Sequence, residues 1–177
     1  MNNIIKELLE KAKDYHNKKE NLKAEKLYKK IIDIDVNNFD ALNLLGILYC
    51  QYKKFNEGLK YFNKAIKING KHAGLYCNKG NAHLELNEFE EAIKNYDTAI
   101  SLHPKLVDAY YNKANALQKL QNFEESINYY NKALELNSNL FDAYVNKGNS
   151  LKNLKKLDEA IINYNKAIEI KSNKAEP

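Results

Sequence analysis

The 177-residue chain carries a net charge of +5 and has a mean hydropathy of −0.67, so we expect a soluble protein. No stretch approaches the roughly 18 apolar residues that a membrane-spanning helix needs, which argues against a membrane protein. All 28 basic residues are lysines. Because arginine is the residue that contacts guanine and phosphate through paired hydrogen bonds, its absence argues against nucleic-acid binding. The N-terminal segment becomes charged at Lys6, before a signal-peptide hydrophobic region would form, and this favours a cytoplasmic location.

The chain repeats with a period of 34 residues. The segment Asp108–Leu117 returns as Asp142–Leu151, and weaker copies lie at Leu75–His83 and Asp40–Tyr49. A fixed period of this length is typical of repeat proteins in which each repeat is one supersecondary unit stacked on its neighbours. We therefore expect residues 1–177 to form a single array of five repeats, at 5–38, 39–72, 73–106, 107–140 and 141–174.

Each repeat is predicted to be a helical hairpin. The fourth repeat shows two apolar stripes with helical spacing, separated by a polar break at Gln121–Asn122. The first stripe consists of Tyr110, Ala114 and Leu117, and the second consists of Phe123, Ile127, Tyr130 and Leu134. One hairpin cannot bury both stripes alone, whereas stacked hairpins can.

Small residues recur where the two helices of a hairpin are expected to cross, because a small side chain lets helices approach closely. These residues are Gly46, Gly80, Ala114 and Gly148 in the first helices and Gly58, Ala92, Ser126 and Ala160 in the second. With Tyr76, Tyr96, Ala99 and Pro104 of the third repeat, the pattern resembles the tetratricopeptide repeat family over essentially the whole chain. The resemblance implies an all-α fold, a right-handed superhelical solenoid of five stacked helix-turn-helix units with a concave groove lined by the first helices.

The sequence departs from the family pattern at one first-helix position, where lysine replaces the usual leucine in four repeats. The replacements are Lys11, Lys79, Lys113 and Lys147. We expect their stems to cover apolar surface while the ammonium groups reach water.

No catalytic, metal-binding or cofactor-binding pattern is present in the sequence. The six glycines are dispersed rather than grouped into a phosphate-binding loop, and the four histidines share no metal-ligand spacing. Cys50 and Cys77 occupy non-equivalent repeat positions, so we expect them to remain reduced thiols. We therefore expect no enzymatic activity, no cofactor and no metal site.

Asparagines recur along one face of the first helices, in the rows Asn78–Asn112–Asn146 and Asn81–Asn115–Asn149. By resemblance to the family, this face lines the groove. It is similar to the asparagine-lined superhelix of O-linked N-acetylglucosamine transferases, whose catalytic domain has no counterpart here. An asparagine amide offers donors and an acceptor to a peptide group. The predicted groove residues are Asn43, Leu44, Ile47, Asn78, Asn81, Asp108, Tyr111, Asn112, Asn115, Asp142, Asn146 and Asn149. The alternative is that the asparagines reflect family consensus and a composition rich in asparagine.

The second repeat carries Leu44 and Ile47 at the two row positions, beside Cys50. We expect an apolar pocket there for a side chain of the partner. The alternative is that the first repeat covers these residues.

The sequence thus predicts a non-enzymatic interaction scaffold or adaptor that binds an extended or helical segment of an unidentified protein partner, without nucleic acid or membrane. One alternative is the regulatory arm of a larger enzyme. Another is a structural array that self-associates as a homodimer through its C-terminal repeat. Ile162 stands where other repeats carry lysine or asparagine, and with Ile161 and Ile168 it predicts apolar surface on the last helix, because no extra solvating helix follows.

Overall fold

The computed structural model describes residues 2–173, of which 3–172 have described side chains. These residues form ten α-helices and no strand, which confirms the predicted all-α fold. The helices are α1 Asn2–Asn17, α2 Asn21–Ile34, α3 Phe39–Gln51, α4 Phe55–Ile68, α5 Ala73–Glu85, α6 Phe89–Leu102, α7 Val107–Lys119, α8 Phe123–Leu136, α9 Phe141–Asn153 and α10 Leu157–Asn173. Within this part of the chain, no helix is both long enough and apolar enough to cross a membrane.

The turn inside each hairpin contains one residue with left-handed backbone conformation. Its φ lies between 58° and 61°, at Lys19, Lys53, Asn87, Gln121 and Lys155. In the first repeat, the N–H of Glu20 donates to the carbonyl of Tyr15 and the N–H of Lys19 donates to that of His16. This pair of bonds is a Schellman motif, which satisfies the last carbonyls of the first helix and reverses the chain.

The described chain divides into two compact halves between Leu86 and Asn87. In the N-terminal half, α2 packs between α1 and α3, and α4 packs between α3 and α5. The core around α2, which we call the first core, contains Leu9, Ala12, Tyr28, Ile31, Leu45 and Leu48. The core around α4, the second core, contains Leu42, Phe62, Ala65, Leu75 and Ala82. In the C-terminal half, α7, α8 and α9 contribute Ala114, Tyr130 and Ala143 to one buried cluster.

Glycine permits close approach where the two helices of a hairpin cross. A β-carbon on Gly46 would lie 2.5 Å from Cε1 of Phe62, and one on Gly148 would lie 2.5 Å from Cε1 of Tyr164. Both distances are well inside van der Waals contact, so the ring of the second helix rests directly on the backbone of the first. The crossing predicted from the small residues is therefore present in these two hairpins.

One first-helix position packs against the second helix of the preceding repeat. Ala41 lies with Tyr28, and Leu75 lies with Phe62, each in a buried cluster. Ala143 joins Tyr130 in the same way. In the first repeat this position is held by Glu7, which is exposed. The same repeat position is thus apolar where a preceding helix covers it. It is charged in the first repeat, where it is exposed to solvent.

Candidate functional site

All twelve predicted groove residues lie on the first helices α3, α5, α7 and α9. Asp108 and Asp142 are exposed, and the other ten side chains are partly buried. The asparagines are therefore neither fully open to solvent nor enclosed between hairpins. We call the first-helix asparagines of each half its amide face: Asn78 and Asn81 in the N-terminal half, and Asn112, Asn115, Asn146 and Asn149 in the C-terminal half.

In the C-terminal half, the amide of Asn146 bridges two neighbouring first helices. Its Nδ2 donates to the hydroxyl of Tyr111 and to Oδ1 of Asn115, at 3.1 Å in each case. Both hydrogens of this amide are thereby used. Asn146 is left with its amide oxygen to offer, as an acceptor for a donor from a ligand.

A tyrosine of the second helix fixes the neighbouring asparagine in two repeats. The hydroxyl of Tyr130 donates to Oδ1 of Asn115 at 2.7 Å, and that of Tyr164 donates to Oδ1 of Asn149 at 2.9 Å. Burial raises the pKa of Tyr130, which keeps this hydroxyl protonated and therefore a donor. Because the amide oxygens are engaged, Asn149 presents its N–H groups, and Asn115 presents the hydrogen that its amide does not share with Tyr111.

In the N-terminal half, a longer contact joins two first helices. Nδ2 of Asn78 on α5 donates to Oδ1 of Asn43 on α3 at 3.4 Å. The length of this bond makes it weaker than the bonds of Asn146. The sequence predicted that these asparagines share a face, but not that they bond to one another across repeats.

Leu44 and Ile47, for which the sequence left two alternatives open, have different surroundings in the structure. Leu44 packs against the first core, to which the first repeat contributes Leu9 and Ala12. Ile47 instead packs on the second core and lines a pocket together with Cys50. Leu44 therefore contacts the first repeat and also lines an open pocket with His16 and Gln51, whereas Ile47 borders a separate pocket.

Lys113 departs from the expectation that its ammonium group reaches water. The residue is only 4% exposed, and its Nζ lies 2.6 Å from Oδ1 of Asp97 and 2.7 Å from the hydroxyl of Tyr129. Nζ also lies 4.0 Å from the centre of the Tyr129 ring. Burial lowers the pKa of Lys113, but the hydrogen bonds to Asp97 and Tyr129 outweigh it, so the pKa is raised. In the sequence, Asp97 could have indicated this ion pair, because the second, fourth and fifth repeats carry asparagine at the same position.

The described side chains include no cluster of three or more His, Cys, Asp or Glu residues that could hold a metal ion. Cys50 and Cys77 are thiols, with neither in a disulfide in the described part of the chain. Burial raises the pKa of Cys50 to about 11, so it is protonated near neutral pH and a poor nucleophile. Ser126, at a helix crossing, is fully buried and donates to the carbonyl of Phe123.

Comparison of the sequence with known families identifies the repeat. Models of the tetratricopeptide repeat match residues 39–72, 61–94, 107–140 and 141–174, and a TPR repeat model matches residues 80–121. The chain belongs to the tetratricopeptide repeat family. Three of these matches coincide with the second, fourth and fifth hairpins described above.

Solved tetratricopeptide repeat structures are similar over nearly the whole chain. The crystal structure of MamA matches 93% of this chain and 96% of that one, with a TM-score of 0.86 and 26% identity. The structure of YrrB, described as a TPR protein with an unusual peptide-binding site, matches 92% of this chain and 84% of that one, with a TM-score of 0.76 and 20% identity. These similarities confirm the predicted class of fold, an all-α array of tetratricopeptide repeats.

A curated human relative shares only part of this chain. Protein O-mannosyl-transferase TMTC3 is 42% identical over 52 residues, which is 29% of this chain and 6% of that protein. The chain therefore spans a small fraction of the length of this relative. The similarity concerns repeat sequence and carries no transferase assignment.

Proposed function

We propose that this tetratricopeptide repeat protein is a non-enzymatic interaction scaffold that binds an extended or helical peptide segment along the amide face. The observation that carries the proposal is the fixed orientation of the amides. Tyr130 and Tyr164 hold the oxygens of Asn115 and Asn149, so their N–H groups are aligned before a ligand arrives. Groups that are already ordered lose less entropy on binding.

The complementary group is the oxygen of Asn146, whose hydrogens are already used. Donors from Asn115 and Asn149 and an acceptor from Asn146 match the C=O and N–H groups of a peptide main chain. Each bond contributes only about 0.5–1.5 kcal/mol, so several are needed to hold a segment. The peptide-binding site named for YrrB, a protein of the same fold, supports this function.

The test is the triple variant Asn112→Ala/Asn115→Ala/Asn146→Ala, measured with an immobilised pool of random dodecapeptides. Loss of these amides is expected to weaken binding by about 10-fold or more, because at least two hydrogen bonds are lost. Since Asn115 and Asn146 also bond within the protein, the denaturation midpoint is measured for each variant.

The matched control is Asn63→Ala/Asn128→Ala/Asn165→Ala, which removes three exposed asparagines from second helices. This control is expected to bind the pool as the wild type does. If the amide-face variant stays folded and recovers the same peptides with the same affinity, the proposed function is wrong.

A second candidate function, self-association through α10, is favoured by its exposed isoleucines. Ile161, Ile162 and Ile168 are 55%, 67% and 61% exposed. In the fourth repeat, the counterparts of Ile161 and Ile168 are the partly buried Ile127 and Leu134. Sedimentation velocity across concentrations is expected to show a dimer that Ile162→Lys abolishes, whereas Leu22→Lys on α2 leaves it intact. A monomer at every concentration would exclude this candidate.

A further inference from the structure

The N-terminal half contains a pocket of about 370 Å³ beside the amide face. Its apolar lining comes from Ile47, Cys50, Phe55 and Phe62 of α3 and α4, and Asn78 and Asn81 of α5 line it as well. An engineered cavity of about 150 Å³ lined by Leu, Ile and Phe binds benzene, so this pocket has room for a larger aromatic ring.

Two residues at this pocket differ together from the asparagine and tyrosine of the third, fourth and fifth repeats. Where the fourth repeat has Asn115 bonded to Tyr130, the second repeat has Ile47 and Phe62 at the same positions. Neither an amide nor a hydroxyl is left without a partner, because both polar groups are absent. Replacing both partners of a hydrogen bond with apolar groups is nearly neutral for stability. The paired change therefore converts one polar position of the face into an apolar one without weakening the fold.

The apolar part of the pocket lining, Ile47, Cys50, Phe55 and Phe62, carries no charge near neutral pH. Sγ of Cys50 lies 2.5 Å from the place that a β-carbon on Gly58 would take, so the thiol packs against the backbone of α4. Burial raises the pKa of this thiol to about 11, which keeps it neutral. The pocket is also lined by Lys53 and Glu85, which are exposed and of opposite charge, so neither sign of charge on a ligand is favoured.

We propose that this pocket selects one large apolar side chain, aromatic in preference to aliphatic, of the peptide bound to the amide face. The amide of Asn78, which also lines the pocket, bonds to the main chain of that residue. Its Nδ2 uses one hydrogen in the bond to Asn43, and its second hydrogen and its oxygen are the groups it offers. An apolar pocket beside a side-chain amide that can bond to a peptide main chain fits a peptide residue better than a free hydrocarbon. The inference rests on the proposed function and adds its specificity.

The experiment uses dodecapeptide pools whose central residue is fixed as Trp, Leu, Ala or Asp. The wild-type chain is expected to bind the Trp pool about 10- to 100-fold more tightly than the Ala pool, with the Leu pool between them, as burial of one large apolar side chain predicts. The variant Ile47→Asn/Phe62→Tyr transfers the pair of the fourth and fifth repeats. It is expected to lose the preference for Trp and to keep its binding of the Ala pool.

Two further variants keep the test independent of the stability of that double replacement. Ile47→Trp fills the pocket from a partly buried position and is expected to lose the preference in the same way. Leu157→Asn changes an exposed apolar residue on α10 and is expected to retain it.

The outcomes separate the pocket from the amide face. Equal binding of the Trp and Ala pools by the wild type overturns the pocket and leaves the proposed function standing. Failure of the wild type to bind any pool overturns the proposed function and the pocket with it. Binding of free indole without preference for the Trp pool overturns the peptide side chain as the occupant.

Discussion

Ala143→Glu is expected to destabilise the C-terminal half by about 4 kcal/mol, because it places a carboxylate in a buried apolar contact. Ala143 is fully buried and packs with Tyr130 and Ala114. The three buried residues of this cluster are uncharged. Urea denaturation followed by circular dichroism measures the loss as a lower transition midpoint.

Two controls separate the effect of charge from the effects of volume and repeat position. Ala143→Leu introduces the residue that the third repeat carries there as Leu75, so overpacking of about 1–3 kcal/mol is the most it is expected to cost. Glu7→Ala reverses the charge change at the equivalent exposed position and is expected to change stability by less than about 0.5 kcal/mol. Equal midpoints for Ala143→Glu and the wild type would show that this contact is not closed in solution.

Tyr130→Ala is expected to destabilise the protein by about 4 kcal/mol, because it removes a fully buried aromatic ring from the centre of a small core. The ring packs with Ala114 and Ala143, and its centre lies 6.0 Å from that of Tyr111. The hydroxyl adds the 2.7 Å bond to Asn115. Most of the loss is therefore a loss of packing, and a smaller part is the loss of this bond.

Tyr130→Phe measures the smaller part alone. It keeps the ring and removes only the hydrogen bond, so a loss of about 1 kcal/mol is expected. The second repeat carries phenylalanine, Phe62, at this position, which shows that the hairpin accepts it. If Tyr130→Phe lost as much stability as Tyr130→Ala, the hydroxyl bond rather than the ring would hold the hairpin together.

The period predicted most of the fold because its physical signals recur in every copy. The predicted repeats at residues 39, 73, 107 and 141 begin where α3, α5, α7 and α9 begin. The two terminal helices differ. α1 begins at Asn2 rather than Ile5, and α10 continues to Asn173. At the position of Lys171, the fourth repeat has Asn137, which caps α8 in extended conformation, whereas lysine is a good helix former and continues the helix.

The side-chain bonds of the site could not be predicted in the same way. Repeat spacing placed Asn115 and Asn146 on one face, but their bond joins residues 31 positions apart and depends on side-chain rotamers. The position of Lys113 shows the same limit. Its burial depends on Asp97, an acid that only one repeat carries at that position. Periodicity describes what the repeats share, and these contacts arise where the repeats differ.

Two alternative side-chain pairs occupy the same positions of the hairpin. The fourth and fifth repeats have a hydrogen-bonded tyrosine–asparagine pair, and the second repeat has an isoleucine–phenylalanine pair. Neither pair leaves a tyrosine hydroxyl or an amide oxygen of the hairpin without a hydrogen-bond partner. Exchanging one pair for the other would therefore change the order of polar and apolar positions along the first helices of an array of such hairpins. The fold of the array would stay the same.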